Sequence, residues 1–197
     1  MKQAIQELQL VLGEQGLLLN EPMKEHTTFR VGGAADLFVM PKDAEELKGC
    51  ISILKQQGIP FLIIGNGSNL LVRDKGIRGA VIQIYQRMSN ITLEGETMYI
   101  QSGALLSAAA AKAAEAGLTG LEFASGIPGT LGGAVVMNAG AYGNEMKDVL
   151  VSVDVLTAEL EVRTIPATEL ELGYRHSIIP EVGYVILGAK LQLQKGD

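Results

Sequence analysis

The chain has 197 residues, of which 47% are hydrophobic and 19% charged, so it can bury a core and is not intrinsically disordered. Its 16 basic and 22 acidic residues give a net charge of −6, and no cluster of lysine and arginine suggests a nucleic-acid-binding surface. The N-terminal residues interleave polar and apolar side chains, and the chain has no run of about 18 apolar residues, so we expect a soluble, cytoplasmic protein without a signal peptide or membrane span.

Residues 1–85 are predicted to form a first α+β lobe. Apolar residues at helical spacing predict a helix over 4–12, and Asp43 with Glu46 resembles the start of a second helix that stops at Gly58. The short apolar run 61–64, bounded by glycine, predicts a buried strand. Further extended segments are expected over 27–40, 70–72 and 80–84.

Residues 86–197 are predicted to form a second α+β lobe. An alanine-rich helix is expected over 107–116, with Ser107 as its N-cap and Gly117 as its stop. A hairpin is expected over 91–101, and strands over 149–156, 161–165 and 184–194. In the last strand apolar and polar residues alternate, which is typical of a half-buried sheet.

The chain is rich in glycine and poor in metal ligands. Cys50 is the one cysteine, which excludes an internal disulfide and is most simply a core residue, and His26 and His176 lack metal-ligand spacing, so we expect no bound metal and two structural or solvent-facing histidines. The 24 glycines make up about 12% of the chain against a usual ~7%. Eight of them lie between Gly117 and Gly143, where they must serve local backbone geometry.

Two glycine-rich turns, 65–70 and 126–134, do not fit the familiar nucleotide motifs. The first is followed by an extended segment, whereas a Rossmann turn opens a helix, and the second lacks the Gly-Lys-Ser/Thr ending of a P-loop. Both offer bare main chain whose N–H groups can converge on an anion and let a flat ligand approach closely. For 65–69 alone, a plain tight turn explains the glycines equally well.

Four ordered motifs make the chain resemble the UDP-N-acetylenolpyruvoylglucosamine reductases. They occupy residues 28–36, 65–72, 126–143 and 173–177. The resemblance implies bacterial peptidoglycan precursor synthesis, and with it cell-wall biogenesis, cell shape and cell division. It also implies a two-lobed α+β fold of the vanillyl-alcohol-oxidase (p-cresol methylhydroxylase) type, with non-covalent FAD between the lobes, NADPH as reductant and a UDP-sugar as substrate.

Site residues follow from that resemblance residue by residue. The FAD pyrophosphate would be held by Gly65, Asn66, Gly67, Ser68, Asn69 and Leu70. The cofactor would be lined by Gly103, Ala104, Gly126, Ile127, Pro128, Gly129, Thr130, Gly132, Gly133, Ala134, Asn138, Ala139, Gly140 and Ala141.

Arg175 matches the family's active-site arginine, which steadies the substrate carboxylate and the enolate formed beside it. The chemistry suits the residue, because hydride addition to an enolpyruvyl double bond loads negative charge next to a carboxylate and a fixed guanidinium stabilises it. Taken alone, Arg175 would be an ordinary surface arginine. Tyr174 is expected to pack, with a role beside the flavin as the alternative.

One departure from the family concerns its third, substrate-binding domain. The family supplies a proton-donating serine and a glutamate from that domain, but only 20 residues follow Ser177 and none resembles the serine segment. We therefore expect the FAD-binding portion, inactive alone. Two alternatives remain: a different flavin oxidoreductase on the same fold, and a non-catalytic flavin-binding module.

Overall fold

The computed structural model describes residues 1–13 and 15–196 and divides the chain into two compact units, Met1–Met88 and Ser89–Asp197. Both units combine helices with a sheet, so the predicted α+β class is confirmed. None of the described helices is long and apolar enough to cross a membrane.

The first unit is built on a four-stranded mixed sheet. Its elements are α1 (Lys2–Leu12), β1 (Leu17–Pro22), β2 (Ala34–Val39), α2 (Ala44–Gln56), β3 (Phe61–Ile64) and β4 (Ile77–Gln83). The strand order is β1-β2-β4-β3, with β1 antiparallel to β2 and the other pairs parallel. The predicted cap of α2 is confirmed, since Oδ1 of Asp43 accepts a hydrogen bond from the Glu46 amide at 2.8 Å.

Three expectations for this unit are wrong. Residues 70–72 form no strand, and of the segment 27–40 only β2 is a strand. The strand β3 lies at the sheet edge, where the side chain of Leu62 is 40% exposed, so it is not fully buried. An apolar run bounded by glycine does not distinguish an edge strand from a central one.

The second unit is built on a five-stranded antiparallel sheet. Its elements are β5 (Ile91–Glu94), β6 (Thr97–Gln101), α3 (Leu106–Glu115), β7 (Leu118–Thr119), α4 (Leu131–Val136), β8 (Gly140–Ala141), β9 (Asn144–Glu145), β10 (Leu150–Leu156), β11 (Val162–Pro166), β12 (Val185–Gln192) and β13 (Gln194–Lys195). The sheet order is β11-β10-β12-β6-β5, and the alternation expected of the last strand is observed from Ala189 onward. Ser107 is not an N-cap, because α3 begins at Leu106 and places Ser107 inside its first turn.

Candidate functional site

The turn 65–70 in the first unit packs directly against the loop that follows β1. A Cβ atom added to Gly67 would lie 1.9 Å from the main-chain oxygen of His26, and Gly67 has a positive φ of 70°. The Thr28 amide donates a hydrogen bond to the oxygen of Gly67 at 3.3 Å. Only glycine fits this position, so the fold itself requires Gly67, whether or not a ligand approaches.

A second close approach joins the glycine pair 32–33 to the segment that follows the turn 65–70. The Gly33 amide donates to the oxygen of Arg73 at 3.0 Å, and a Cβ on Gly33 would lie 2.0 Å from the oxygen of Asp74. Val72 packs into the core of this unit from the same segment. The glycine pair at 32–33 therefore lets the main chain of 72–76 lie against it.

His26 has partners that the sequence did not reveal. Its Nε2 lies 2.8 Å from Oε1 of Glu21, and its ring stacks on Phe38 with centroids 4.0 Å apart. Glu21 therefore has a side-chain partner in this loop. These contacts fix the loop on which residues 26–33 lie.

The segment 126–134 is partly helical, which the glycine content concealed. The Leu131 amide donates to the oxygen of Ala104 at 2.8 Å, and the Gly132 amide donates to the oxygen of Ser102 at 2.9 Å. These protein carbonyls accept hydrogen bonds from the amides at the start of α4, so those two amides are not available to bind an anion. The same bonds bring the predicted neighbours at 103–104 against this segment.

Two glycines of this segment have no packing reason to be glycine. A Cβ on Gly126 would meet nothing within 4 Å, and one on Gly133 would meet only Oγ1 of Thr130, at 3.9 Å. Both residues are exposed, and neither has a positive φ. Glycine inside a helix costs about 1 kcal/mol relative to alanine, so Gly133 lowers the stability of α4 without a gain in packing. Open main chain of this kind fits a flat cofactor that approaches closely.

Asn138 serves the protein's own structure. Its side chain is 1% exposed, and its Nδ2 donates to Oε2 of Glu145 at 2.6 Å and to the oxygen of Gly173 at 3.0 Å. Its Oδ1 accepts from the Lys147 amide at 2.9 Å. The side-chain amide is thus fully engaged, so a cofactor could meet only the main chain at this position.

Tyr174 and Arg175 form the tip of a two-residue hairpin. Gly173 and His176 exchange main-chain hydrogen bonds of 3.1 and 3.2 Å at its base. Arg175 has a positive φ of 53°, and its guanidinium lies 5.6 Å from the centroid of the Tyr174 ring. Within the described part of the chain no carboxylate lies within ion-pair distance of Arg175. The Tyr174 side chain is 90% exposed, so the expectation that it packs is wrong.

The base of this hairpin is anchored from two sides. Oγ of the buried Ser177 donates to the oxygen of Val136 at 2.8 Å, and Asn138 holds the oxygen of Gly173. The hairpin therefore presents a charged guanidinium and an aromatic ring from a fixed base. A strained backbone that supports an unpaired charge is typical of a functional position.

The remaining candidates are structural. Cys50 is buried in α2, as predicted, and burial raises the pKa of its thiol to about 12, with a smaller contribution from the Glu46 carboxylate. Over residues 1–13 and 15–196, no group of three or more His, Cys, Asp or Glu side chains could hold a metal ion.

Comparison with known proteins gives a consistent result for most of the chain. Residues 35–165 match the family described as the FAD binding domain. The chain is 50% identical over 194 residues to UDP-N-acetylenolpyruvoylglucosamine reductase of Alkaliphilus oremlandii, a match that covers 98% of this chain and 64% of the relative. It is 54% identical to the protein of that name from Agathobacter rectalis, over 92% of this chain and 62% of the relative. The chain thus spans less than two thirds of these relatives.

Comparison with solved structures also finds similar proteins. The UDP-N-acetylenolpyruvylglucosamine reductase of Thermus caldophilus is 36% identical with a TM-score of 0.77, over 92% of this chain and 62% of that protein. A p-cresol methylhydroxylase with bound substrate is 17% identical with a TM-score of 0.71, over 99% of this chain and 43% of that protein, a likeness in fold alone.

Proposed function

Because the chain belongs to the family of FAD-binding domains, we propose that it is the FAD-binding part of a UDP-N-acetylenolpyruvoylglucosamine reductase. Its fold class is the α+β FAD-binding fold of the vanillyl-alcohol-oxidase type, as expected from the sequence. The proposed reaction is the NADPH-dependent reduction of UDP-N-acetylglucosamine enolpyruvate to UDP-N-acetylmuramate, in the cytoplasm. Identity of 50% over 98% of the chain to a relative of that name supports the assignment.

The observation that carries the cofactor part is the pair of exposed glycines, Gly126 and Gly133. Neither is required by packing or by backbone angle, and both leave open space beside the main chain. We propose that 126–134 and the main chain of 138–141 line FAD, with 103–104 adjacent. The turn 65–70 is proposed to hold the pyrophosphate.

The proposed role of Arg175 is electrostatic. When bound, FAD supplies hydride transfer from NADPH to the enolpyruvyl double bond. As that bond is reduced, negative charge grows on the carbon next to the substrate carboxylate, and the guanidinium of Arg175 stabilises it. Arg175 is free to do so, because no carboxylate among the described residues neutralises it and its hairpin base is fixed by Asn138 and Ser177.

A second candidate is a flavin-binding module without activity of its own. It is favoured by one observation, that the family matched by residues 35–165 is described only as an FAD binding domain. In this case the chain would hold FAD, but neither NADPH nor substrate would change the flavin's redox state.

One spectroscopic titration tests both candidates. The purified chain is loaded with FAD, freed of excess by gel filtration and mixed anaerobically with NADPH, and then with the enolpyruvyl substrate. Loss of the visible flavin band with NADPH and its return with substrate support the reductase. An unchanged band supports either the module or a reductase portion that is inactive alone, and failure to retain FAD contradicts both candidates. Flavin that stays with the protein after acid precipitation would indicate a covalent oxidase of the same fold instead.

A further inference from the structure

As a proposed pyrophosphate site, the turn 65–70 lacks positively charged side chains. None of its six residues is a lysine or an arginine. Backbone dipoles alone can hold an anion, but a charged donor makes each hydrogen bond roughly twice as strong. A lysine or arginine from elsewhere in the first unit could supply the positive charge that a bound pyrophosphate needs.

The loop 26–33 is the segment that lies against this turn. The Thr28 amide donates to the oxygen of Gly67 at 3.3 Å, and the oxygen of His26 occupies the space a Cβ on Gly67 would need. His26 in turn is fixed by Glu21 and Phe38. The position of the loop relative to the turn is therefore well determined by contacts within the unit.

A cavity of about 420 Å³ opens at this loop. Its walls are formed by Lys24, Glu25, Thr27 and Arg30. Lys24, Glu25 and Arg30 are exposed, so the cavity is open to solvent. Two cations against one carboxylate leave the walls with a positive balance, in a chain whose net charge is −6.

Arg30 closes the tight turn that begins at Thr27. It is exposed and has a positive φ of 53°, which is uncommon for a residue with a side chain. Its amide donates to the oxygen of Thr27 at 3.1 Å, and Oγ1 of the buried Thr27 donates to the oxygen of Val31 at 3.2 Å. Across the described residues, no carboxylate pairs with its guanidinium. The loop thus holds an unpaired cation at a cavity.

We propose that Arg30, with Lys24, binds the diphosphate group of FAD and supplies the positive charge that the turn 65–70 lacks. The proposal rests on the proposed function, because it assigns a ligand group to the same cofactor. Glu25 lines the same cavity, and its negative charge repels the diphosphate and so weakens binding.

The test measures the dissociation constant of FAD by flavin fluorescence for the 197-residue chain and its variants. Arg30→Gln should weaken FAD binding by about 10-fold or more, the loss expected for one charge-assisted hydrogen bond. Arg30→Lys should retain part of the affinity, and Glu25→Gln should strengthen binding. Arg163→Gln is the control, since Arg163 is an exposed arginine of the second unit that pairs with Glu161.

Two further measurements identify the group that Arg30 binds. ADP, which carries a diphosphate, should bind the unmodified chain more tightly than Arg30→Gln, whereas the affinity for adenosine should be the same in both. Added salt should weaken FAD binding more in the unmodified chain than in Arg30→Gln. Thermal unfolding checks that each variant is folded.

The outcomes are distinct. An unmodified chain that does not bind FAD would contradict the proposed function itself. FAD binding by Arg30→Gln within twofold of the unmodified chain would overturn this proposal alone. So would an equal loss in Arg163→Gln.

Discussion

The side-chain amide of Asn138 donates a hydrogen bond of 3.0 Å to the main-chain oxygen of Gly173 and so ties the segment 138–141 to the hairpin that carries Arg175. The same amide bonds to Glu145, and its oxygen accepts from the Lys147 amide. One buried side chain therefore holds three parts of the second unit together. We infer that Asn138 is a positioning residue for Arg175, although the family resemblance suggested a contact with the cofactor.

Asn138→Gly should lower the free energy of unfolding by roughly 2 to 4 kcal/mol, because buried partners lose their hydrogen bonds. Glycine is chosen because Asn138 has a positive φ of 40°, so the substitution adds no backbone strain. The His176 amide, which closes the hairpin, should exchange its hydrogen faster. Urea unfolding and hydrogen exchange measure both effects.

Tyr142→Gly is the matched control for that experiment. Tyr142 also has a positive φ, of 55°, but its side chain is 94% exposed. Its replacement should change stability by no more than about 0.5 kcal/mol. Equal effects of the two substitutions would contradict the role assigned to Asn138.

Gly133→Ala should separate cofactor binding from folding. Alanine in α4 should leave stability unchanged or raise it by up to about 1 kcal/mol, since its Cβ meets open space. The same Cβ should weaken FAD binding by about 10-fold, because it fills space proposed for the cofactor. Thermal unfolding without FAD and FAD titration give the two values.

Unlike Gly133→Ala, Gly67→Ala should lower the stability of the chain even without FAD. Its Cβ would clash with the oxygen of His26, so the free chain itself should be destabilised, by about 1–3 kcal/mol or more. A bulky Gly67→Val substitution would abolish FAD retention for this reason as well, and so reports on the fold first. If Gly67→Ala were as stable as the unmodified chain, the packing argument for the turn would be wrong.

Arg175→Gln should leave folding and FAD binding unchanged. The guanidinium is exposed and has no ion-pair partner in the described structure, so its loss should shift the free energy of unfolding by no more than about 0.5 kcal/mol. In a form of the protein that turns over substrate, kcat should fall by about 10²-fold, as for the loss of one charge-stabilising donor. Steady-state kinetics with unchanged kcat would remove Arg175 from the site.

Cys50 should be inert in the folded chain. Its thiol is buried, and its pKa is raised from 9.0 to about 12, so at pH 8 a thiol reagent should label it only after unfolding. Between pH 9 and about 12 the unfolded thiol ionises while the folded one stays protonated, so the free energy of unfolding should fall as pH rises. Rapid labelling of the native chain would contradict its burial.

Segments with strong periodicity were predictable from sequence, and segments shaped by distant contacts were not. The helix α2 and the strands β10 and β12 follow from local patterns of burial and capping. Residues 70–72 look like a strand but form none, and the next residue, Arg73, accepts a hydrogen bond from the Gly33 amide. The helix α4 was concealed by Gly132 and Gly133 and depends on carbonyls of Ser102 and Ala104.

The site divides in the same way. The resemblance suggested Arg175, with a role for Tyr174 beside the flavin as an alternative, and the structure adds that both form an exposed hairpin tip. Asn138, which anchors the hairpin, is 35 residues from Gly173 in the chain, and no local sequence pattern indicates that contact. The pairing of His26 with Glu21 was equally hidden, since spacing alone does not indicate which carboxylate a histidine meets.

FAD binding by the chain is the property on which the proposed function and the proposed roles of Gly126, Gly133 and Arg30 all depend. The most direct measurement is gel filtration of the purified 197-residue chain with FAD, with the visible flavin absorbance recorded across the protein peak. We predict that FAD elutes with the protein at a ratio of one cofactor per chain. A folded chain that elutes without the flavin band would contradict the account.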